Sequence, residues 1–347
     1  MNHYRVSHDD LKVFCREVFA TLGVAQEAAQ TVADNLVEAE LRGVKSHGIA
    51  KVKEYSSNLE KKVFNNRPDI KIVKEGISTF AIDGDFGLGA VTGKWAMERC
   101  LDKAQTSGVA FATVNRGRHF GMAAFYSMMA LEQDMIGIAL CNSGSIMTVY
   151  GGISRALGTN PISIAVPAVK KYPLVFDAAT SQAAFNRIVV ANLENRNIPE
   201  GWAIDKDGKP TVKAADALLG AVVPFGGYKG SGLAVIVNVL SGILSSAFLA
   251  ATAENDVEIN NGVGFFLGAI RIANFLDVDV FKQAVDVMIT DLKSSRCDEK
   301  TQTIYMPGEL EYVRKEENVK LGVEISDAVL KDLLEVQQKY GIQHKLF

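Results

Sequence analysis

Residues 109–140 read VAFATVNRGRHFGMAAFYSMMALEQDMIGIAL, and the succession of textures within them decides the fold class. Val109–Val114 is a short run of small and branched apolar residues, the signature of a strand. A polar, Gly-flanked loop follows, Asn115-Arg116-Gly117-Arg118-His119-Phe120-Gly121. Met122–Glu132 then reads as a helix and Ile136–Leu140 as another strand. Strand, helix and strand in succession place the chain in the α/β class.

The alternation continues outward. Upstream, Ile70–Val73 and Ser78–Ile82 are β-like; downstream, so are Ile162–Val166 and Val175–Phe176. Asp205-Lys206-Asp207-Gly208 reads as a tight turn, because Asp and Gly tolerate the positive φ it needs. As a calcium loop it is poor, since the remaining ligands are missing. The first seventy residues are instead helical. Ser7 and Asp10 form an S-x-x-D start, and Leu11, Phe14, Val18 and Phe19 follow at helical spacing. A second helix is expected over 26–41 with Ala29, Val32, Leu36 and Ala39 on its apolar face, ended by Gly43. Ser46 is expected to cap a third helix reaching Glu60. From Glu309 the tail is charged and helical; Arg314-Lys315-Glu316-Glu317 reads as a solvated face, and Ser326-Asp327 opens the last helix.

Composition excludes several classes. The chain has 347 residues, enough for two structural domains or one large one with an insertion. Its 37 basic and 40 acidic residues nearly cancel and form no basic cluster, so no nucleic-acid partner is expected. Cys15, Cys100, Cys141 and Cys297 lie far apart with no C-x-x-C pair, which argues against a structural zinc and for reduced thiols. The N-terminal stretch MNHYRVSHDDLKVF is too acidic for a secretory leader. Residues 233–252, LAVIVNVLSGILSSAFLAAT, have the length of a membrane span, but Asn238 and several serines interrupt them. A buried core helix is the expectation there, and the cytoplasm the expected location.

Familiar nucleotide motifs are missing. Gly84-Asp85-Phe86-Gly87-Leu88-Gly89 has its glycines in the wrong order for G-x-G-x-x-G. Gly89 to Gly93-Lys94 is one residue short of a P-loop, and Trp95 stands where Ser or Thr is needed. There is no G-x-S-x-G elbow and no H-E-x-x-H pair.

Candidate chemistry therefore rests on individual residues. His47 and His119 each lie in a Gly-flanked loop leading toward a helix. An alcohol–ketone hydride transfer needs one acid/base of near-neutral pKa, which imidazole supplies; a turn or capping histidine is the structural alternative. Lys51 and Tyr55 follow His47 at successive steps of four, so the three share one helical face, with Arg42 nearby. Such a face suits a substrate carboxylate and the oxygen beside it, or is merely a polar surface stripe. Gly226-Gly227-Tyr228-Lys229-Gly230-Ser231-Gly232 and Leu157-Gly158-Thr159-Asn160-Pro161 can cradle phosphates through backbone N–H groups, or are simple turns. Asp177 stands at a strand end, a usual place for function in α/β folds, although it can equally cap a turn.

Taken together, these stretches resemble the non-Rossmann malate/L-lactate dehydrogenase family. The blocks that carry the resemblance are RGVKSHGIAKVKEY (42–55), HFG (119–121), GIALCNS (137–143), GTNPISIAVP (158–167), FDAATS (176–181), IPEGWAIDKDGKPT (198–211), GGYKGSGLA (226–234) and MPGE (306–309). They run in the family's order along nearly the whole chain. The resemblance implies a two-part α/β fold: a mainly helical domain from residues 1–74 with 310–347, and a central mixed-sheet cofactor-binding domain over 75–309. It implies an NAD-dependent oxidoreductase, with NADP left open, that interconverts a small 2-hydroxy acid and its 2-oxo acid, and a homodimer. His47 and His119 fall on the family's catalytic histidines. Arg42, Ser46, Lys51 and Tyr55 become substrate-binding candidates. Ser143, Thr159, Asn160, Asp177, Ala178, Ala179, Tyr228, Lys229, Pro307, Gly308 and Glu309 fall on cofactor-contacting segments, and no metal is implied. Three positions depart from the pattern: Lys51 replaces a frequent arginine, Ala178 a frequent methionine, and Gly144 an acidic residue or proline. The departures bear on substrate identity more than on reaction class. Two rivals follow: reduction of a cyclic imine carboxylate, and a catalytically silent small-molecule-binding relative.

Overall fold

A computed structural model describes residues 3–247, 263–298 and 302–346. The two ends of the chain meet first: β1 (His3–Val6) pairs antiparallel with a strand over Val323–Ser326, His3 opposite Ser326. Helix α1 (His8–Thr21) starts as its sequence implies, Ser7 Oγ accepting the Asp9 N–H, and α2 spans Gln26–Leu41. Both are amphipathic. Leu11, Phe14, Val18, Val32 and Leu36 enter a core shared with Tyr55 and, from the tail, with Val323, Ile325, Leu333 and Val336. Apolar burial on this scale is what pins the tail to the N-terminal helices.

Helix α3 (Val52–Glu60) starts later than expected, because Ser46 does not cap it. Two 3-10 turns intervene, Lys45–His47 and Ile49–Lys51, separated by Gly48, and Ser46 turns its hydroxyl to His47 instead.

The centre is a mixed sheet whose strands begin with β2 (Lys71–Glu75), β3 (Thr79–Asp83), β4 (Val109–Asn115), β5 (Met135–Cys141), β6 (Ile162–Val166) and β7 (Leu174–Ala178). After the two-residue strands β8 (Ala203–Ile204), β9 (Pro210–Thr211) and β10 (Ala221–Val222) comes β11 (Phe265–Arg271), and the terminal β12 is Val323–Ser326. The seven-stranded order is β2-β3-β4-β11-β5-β6-β7, with β3 and β4 parallel and the other neighbours antiparallel. The α/β class expected from the sequence is therefore what the chain adopts. Helix α4 (Gly89–Ser107) covers one face, burying Ala96, Met97, Cys100 and Ala104 against Ala110, Ala112, Leu267 and Ala269.

Two further expectations change. The helix read over Met122–Glu132 is α-helical only in α5 (Ala124–Ser127) and continues as a 3-10 turn, Met128–Gln133. The sheet approaches closely there: a Cβ on Gly137 of β5 would lie 2.0 Å from the Ser127 carbonyl oxygen. Residues 233–247 are not a buried core helix. After α6 (Phe185–Leu193) and α7 (Ala214–Leu219), α8 (Tyr228–Val237) runs on as a π-helical turn, Asn238–Ile243. Only small or polar groups with Val237 pack inward (Ala234, Ser241, Gly242), while Leu233, Ile236, Val239 and Leu244 face outward. Phe248–Thr252 of that stretch lie outside the described residues. Among the described residues no helix is long and apolar enough to cross a membrane. Helices α9 (Val278–Lys293), α10 (Glu309–Leu321) and α11 (Asp327–Tyr340) complete the chain; α10 lies on α2 through Lys315–Glu38 and Asn318–Leu41 contacts.

Candidate active site

The site forms where the helical layer meets the exit of β4. Gly43, at φ +75°, turns the chain out of α2, and the 3-10 turn places the Ser46 hydroxyl 2.9 Å from His47 Nδ1. One turn into α3, Tyr55 is buried between Phe19 and Phe64. His119 arrives from the sheet, and its Nδ1 lies 2.5 Å from the Tyr55 hydroxyl. The two imidazoles stack, with centroids 5.5 Å apart and planes 13° from parallel. Ser46 and Tyr55 thus occupy the Nδ1 atoms, and no bond to a described residue reaches either Nε2.

The loop carrying His119 is braced by the Gly84–Gly89 stretch, which contains no dinucleotide motif. Arg116, at φ +49°, forks onto Asp83 (2.9 Å) and Asp85 (2.8 Å) and covers the Phe86 ring. Gly84 N–H donates to Asn115 O and Phe86 N–H to Arg116 O. A Cβ on Gly89 would lie 2.1 Å from the His119 carbonyl oxygen, so only glycine lets α4 begin against this loop. Sequence reasoning missed this bracing. The glycines and acids clustered over 83–89 were its visible signal.

Electrostatics make the pair neutral at ordinary pH. Burial chiefly, and the Lys51 charge secondarily, push His47 down to about 4. Burial, then His47, then Lys51 push His119 to about 3. Desolvation disfavours imidazolium, and a nearby cation adds to the effect. Lys51 is itself paired, 2.7 Å from Glu54.

The remaining candidates divide. Arg42 was expected near the substrate, but its Nε lies 2.6 Å from Glu38 and its guanidinium covers Tyr312 at 4.2 Å. It ties α2 to α10. Asp177 ends β7 and accepts the Ala124 N–H at 2.8 Å; it touches neither histidine. Crowding by surrounding protein pushes its carboxyl up to about 6, a shift that its open solvent side tempers. Asn160, at φ +37°, is fully buried; its amide takes the Ser143 N–H and donates to Ala234 O, so it shapes the loop. The Thr159 carbonyl is used by Thr180. Pro307 O accepts the Val175 N–H, Gly308 sits at φ +82° against Val175, and Glu309 is paired with Lys293. Pro307 and Gly308 thus dock at Val175, near the start of β7, whereas Ala178 closes that strand and Ala179 follows it.

Other groups are unspent. Ser143 Oγ is buried with no hydrogen-bond partner among the described residues. Tyr228 and Lys229 are exposed at the start of α8, after Gly226 and Gly227 at φ +55° and +64°. A cleft of about 340 Å³ opens beside those glycines, lined also by Thr148, Tyr150, Gln182 and Gly201, and does not include the histidines. An orphaned hydroxyl and an exposed cation on a Gly-rich helix start fit a phosphate-bearing cofactor. Among the described residues no group of three or more His, Cys, Asp or Glu could hold a metal ion.

The chain is thus a mixed-sheet α/β scaffold that holds two stacked imidazoles, each bonded at Nδ1, with no bond from a described residue to either Nε2. Comparison with known proteins names the family. Residues 6–334 match the sequence profile of the malate/L-lactate dehydrogenases, and the chain belongs to that family. It is 38% identical to a malate dehydrogenase of Pyrococcus horikoshii over 350 residues, covering 99% of this chain and 97% of that one. The solved structure of that protein superposes with a TM-score of 0.90, at 36% identity and with 99% and 97% of the two chains covered. An L-sulfolactate dehydrogenase of Methanocaldococcus jannaschii is 40% identical over 329 residues, 94% of each chain. A ureidoglycolate dehydrogenase (NAD(+)) of Escherichia coli is 29% identical over 335 residues, 95% of each. The resemblance read from the sequence blocks is thereby established.

Proposed function

We propose that the chain is a nicotinamide-dependent dehydrogenase that interconverts a small 2-hydroxy acid and its 2-oxo acid, with a histidine as acid/base. The stacked His47–His119 pair carries the reading, each ring held at Nδ1 and open at Nε2. Family membership supports dehydrogenase chemistry, and the NAD(+) in the name of the E. coli relative supports NAD; NADP stays within the reading. Ser143, Tyr228, Lys229 and the main chain at Ala178–Ala179 would hold the cofactor, which when bound would supply or accept the hydride.

The chain's own groups do the rest. Lys51 exchanges Glu54 for the substrate carboxylate, so that one ion pair replaces another. The C2 oxygen then meets an imidazole Nε2. A neutral ring is the correct state to accept the hydroxyl proton when a hydroxy acid is oxidised. The bound carboxylate offsets the Lys51 charge and raises the ring's proton affinity, which favours proton donation in the reductive direction. Ser46 and Tyr55 keep the ring planes fixed throughout.

The same reading includes a homodimer in the cytoplasm. Leu233, Ile236, Val239 and Leu244 form an outward apolar stripe of the kind a second copy covers, and Cys15, Cys100 and Cys141 are buried free thiols. Sedimentation at twice the chain mass is the expected result.

The test is a panel of pyruvate, oxaloacetate, glyoxylate derivatives and piperideine-2-carboxylate, each with NADH and NADPH, followed near ~340 nm, where the reduced cofactor absorbs. At least one 2-oxo acid is reduced. His47→Ala or His119→Ala lowers turnover by roughly a hundred- to ten-thousandfold. Near-full turnover in both variants overturns the assignment.

A further inference from the structure

Glu40 is a buried carboxylate that the mechanism above does not use. It stands in the last turn of α2, only 3% exposed, directly beneath the segment that carries His47 and Lys51. Its Oε1 accepts the Ile49 N–H at 2.9 Å, the one hydrogen bond that its carboxylate makes among the described residues. The contact explains a glycine. A Cβ on Gly48 would lie 2.2 Å from Glu40 Oε1, so a side chain there would expel the carboxylate or the loop. A carboxylate with one backbone donor is costly to bury, and an apolar residue in its place would cost less. Stability alone does not account for it.

We propose that Glu40 is a positioning residue of the histidine site: anchored on the Ile49 N–H under Gly48, it sets where the two 3-10 turns place His47 and Lys51. The proposal rests on reading His47 as an acid/base group. The titratable and charged groups that face Glu40 are the buried Cys15 thiol from α1 and the Lys45 ammonium from the loop itself. Lys45 is directed elsewhere, to the Glu324 carbonyl oxygen. Burial first pushes the Glu40 carboxyl up, to about 7, against the lowering effects of the Ile49 N–H and Lys45. Its charge therefore changes in a range where the His47 and His119 rings do not titrate. The anionic form is the stronger acceptor for the Ile49 N–H, so the anchor tightens as pH rises through neutrality.

The chain has five histidines, which makes imidazole NMR on 15N-histidine-labelled protein a direct readout. In the wild type, the His47 ring signals show an inflection at about 7, apart from the ring's own titration at about 4. In Glu40→Gln that inflection disappears, and the His47 and His119 signals move. Turnover of the preferred 2-oxo acid falls roughly ten- to a hundredfold, the effect of a displaced acid/base, while nicotinamide affinity changes less than about twofold. An inflection that persists in Glu40→Gln overturns the proposal. If that variant does not fold, the wild-type titration decides alone, and its lack of an inflection is equally fatal. Should the wild type reduce no 2-oxo acid, the functional reading fails, yet the ring signals still decide the role of Glu40.

Discussion

Acidification tests the neutral histidine pair most directly. Burial, aided by Lys51, holds His47 at about 4 in the folded chain, against an ordinary value of 6.5. Burial, His47 and Lys51 hold His119 at about 3. The unfolded chain therefore binds protons at both rings in a range where the folded chain does not. The sign is fixed by that difference. Each histidine contributes its full stability above pH 6.5 and loses it as pH falls, through about 4 for His47 and about 3 for His119. At about 1.4 kcal/mol per pH unit, the interval from 6.5 to about 4 amounts to about 3 kcal/mol for His47. The second ring adds to this, though not in full, because the two sites titrate as a coupled pair. Glu40 and Asp177 oppose the trend: both carboxyls are raised, Glu40 by burial and the solvent-open Asp177 more weakly by the protein around it, and both favour the folded state as they protonate. A difference measurement removes them. Urea unfolding of the wild type and of a His47→Gln, His119→Gln double variant, from about pH 7.5 down to about 4, isolates the pair. Relative to the wild type, the variant gains about 3 kcal/mol or more across that range. A stability gap that does not change with pH refutes the buried, neutral pair.

Two substitutions probe the surroundings. Glu54→Gln releases Lys51 from its present partner, so the KM for a carboxylate substrate falls about two- to threefold, as expected for an exposed ion pair worth under ~1 kcal/mol; an unchanged KM in steady-state kinetics separates Lys51 from substrate binding. Gly89→Ala drives a methyl group into the His119 carbonyl, costing about 1–3 kcal/mol as overpacking does. Turnover falls with it, whereas wild-type thermal unfolding and turnover would show that the α4 start does not brace the loop.

How much of the fold was legible depended on local signal. The stretch 109–140 alternates strongly enough to reveal β4 and β5, and Ser7 and Ser326 mark helix starts that the structure confirms as caps. The central strand β11 left no such mark. Phe265-Phe266-Leu267-Gly268-Ala269-Ile270 lacks polar alternation because β11 lies between β4 and β5. Gly268, normally a strand breaker, is there to admit the Phe111 ring, which a Cβ would meet at 2.4 Å. Strands β1 and β12 were equally silent, since their pairing joins the two chain ends and no short window contains both. The α8 stretch misled for another reason. Hydropathy counts apolar residues without saying which way they face, and here the large ones point away from the fold.

The site was legible as residue types, and its support was not. Spacing put His47, Lys51 and Tyr55 on one helical face, yet His47 and Lys51 lie in 3-10 turns ahead of α3, and that Tyr55 would hold the Nδ1 atom of His119 depends on α3 and the β4 exit meeting in space. The same holds for Arg42, whose charge invites a substrate role until the structure commits it to Glu38 and Tyr312. Glycines mislead in the same way. Gly84, Gly87 and Gly89 fail as a dinucleotide motif when read along the chain, yet Gly89 is where α4 touches the His119 loop, as Gly48 is where Glu40 touches the His47 loop. In each case a missing Cβ lets one segment approach a catalytic candidate to a distance that no side chain permits. Two histidines are thus fixed from behind by contacts between backbone and carboxylate or backbone and backbone, leaving their Nε2 atoms available. Rigid support of this kind keeps an acid/base group within the narrow geometry that proton transfer demands, and it explains why a site assembled from separate parts of the chain can hold two uncharged rings stacked 5.5 Å apart.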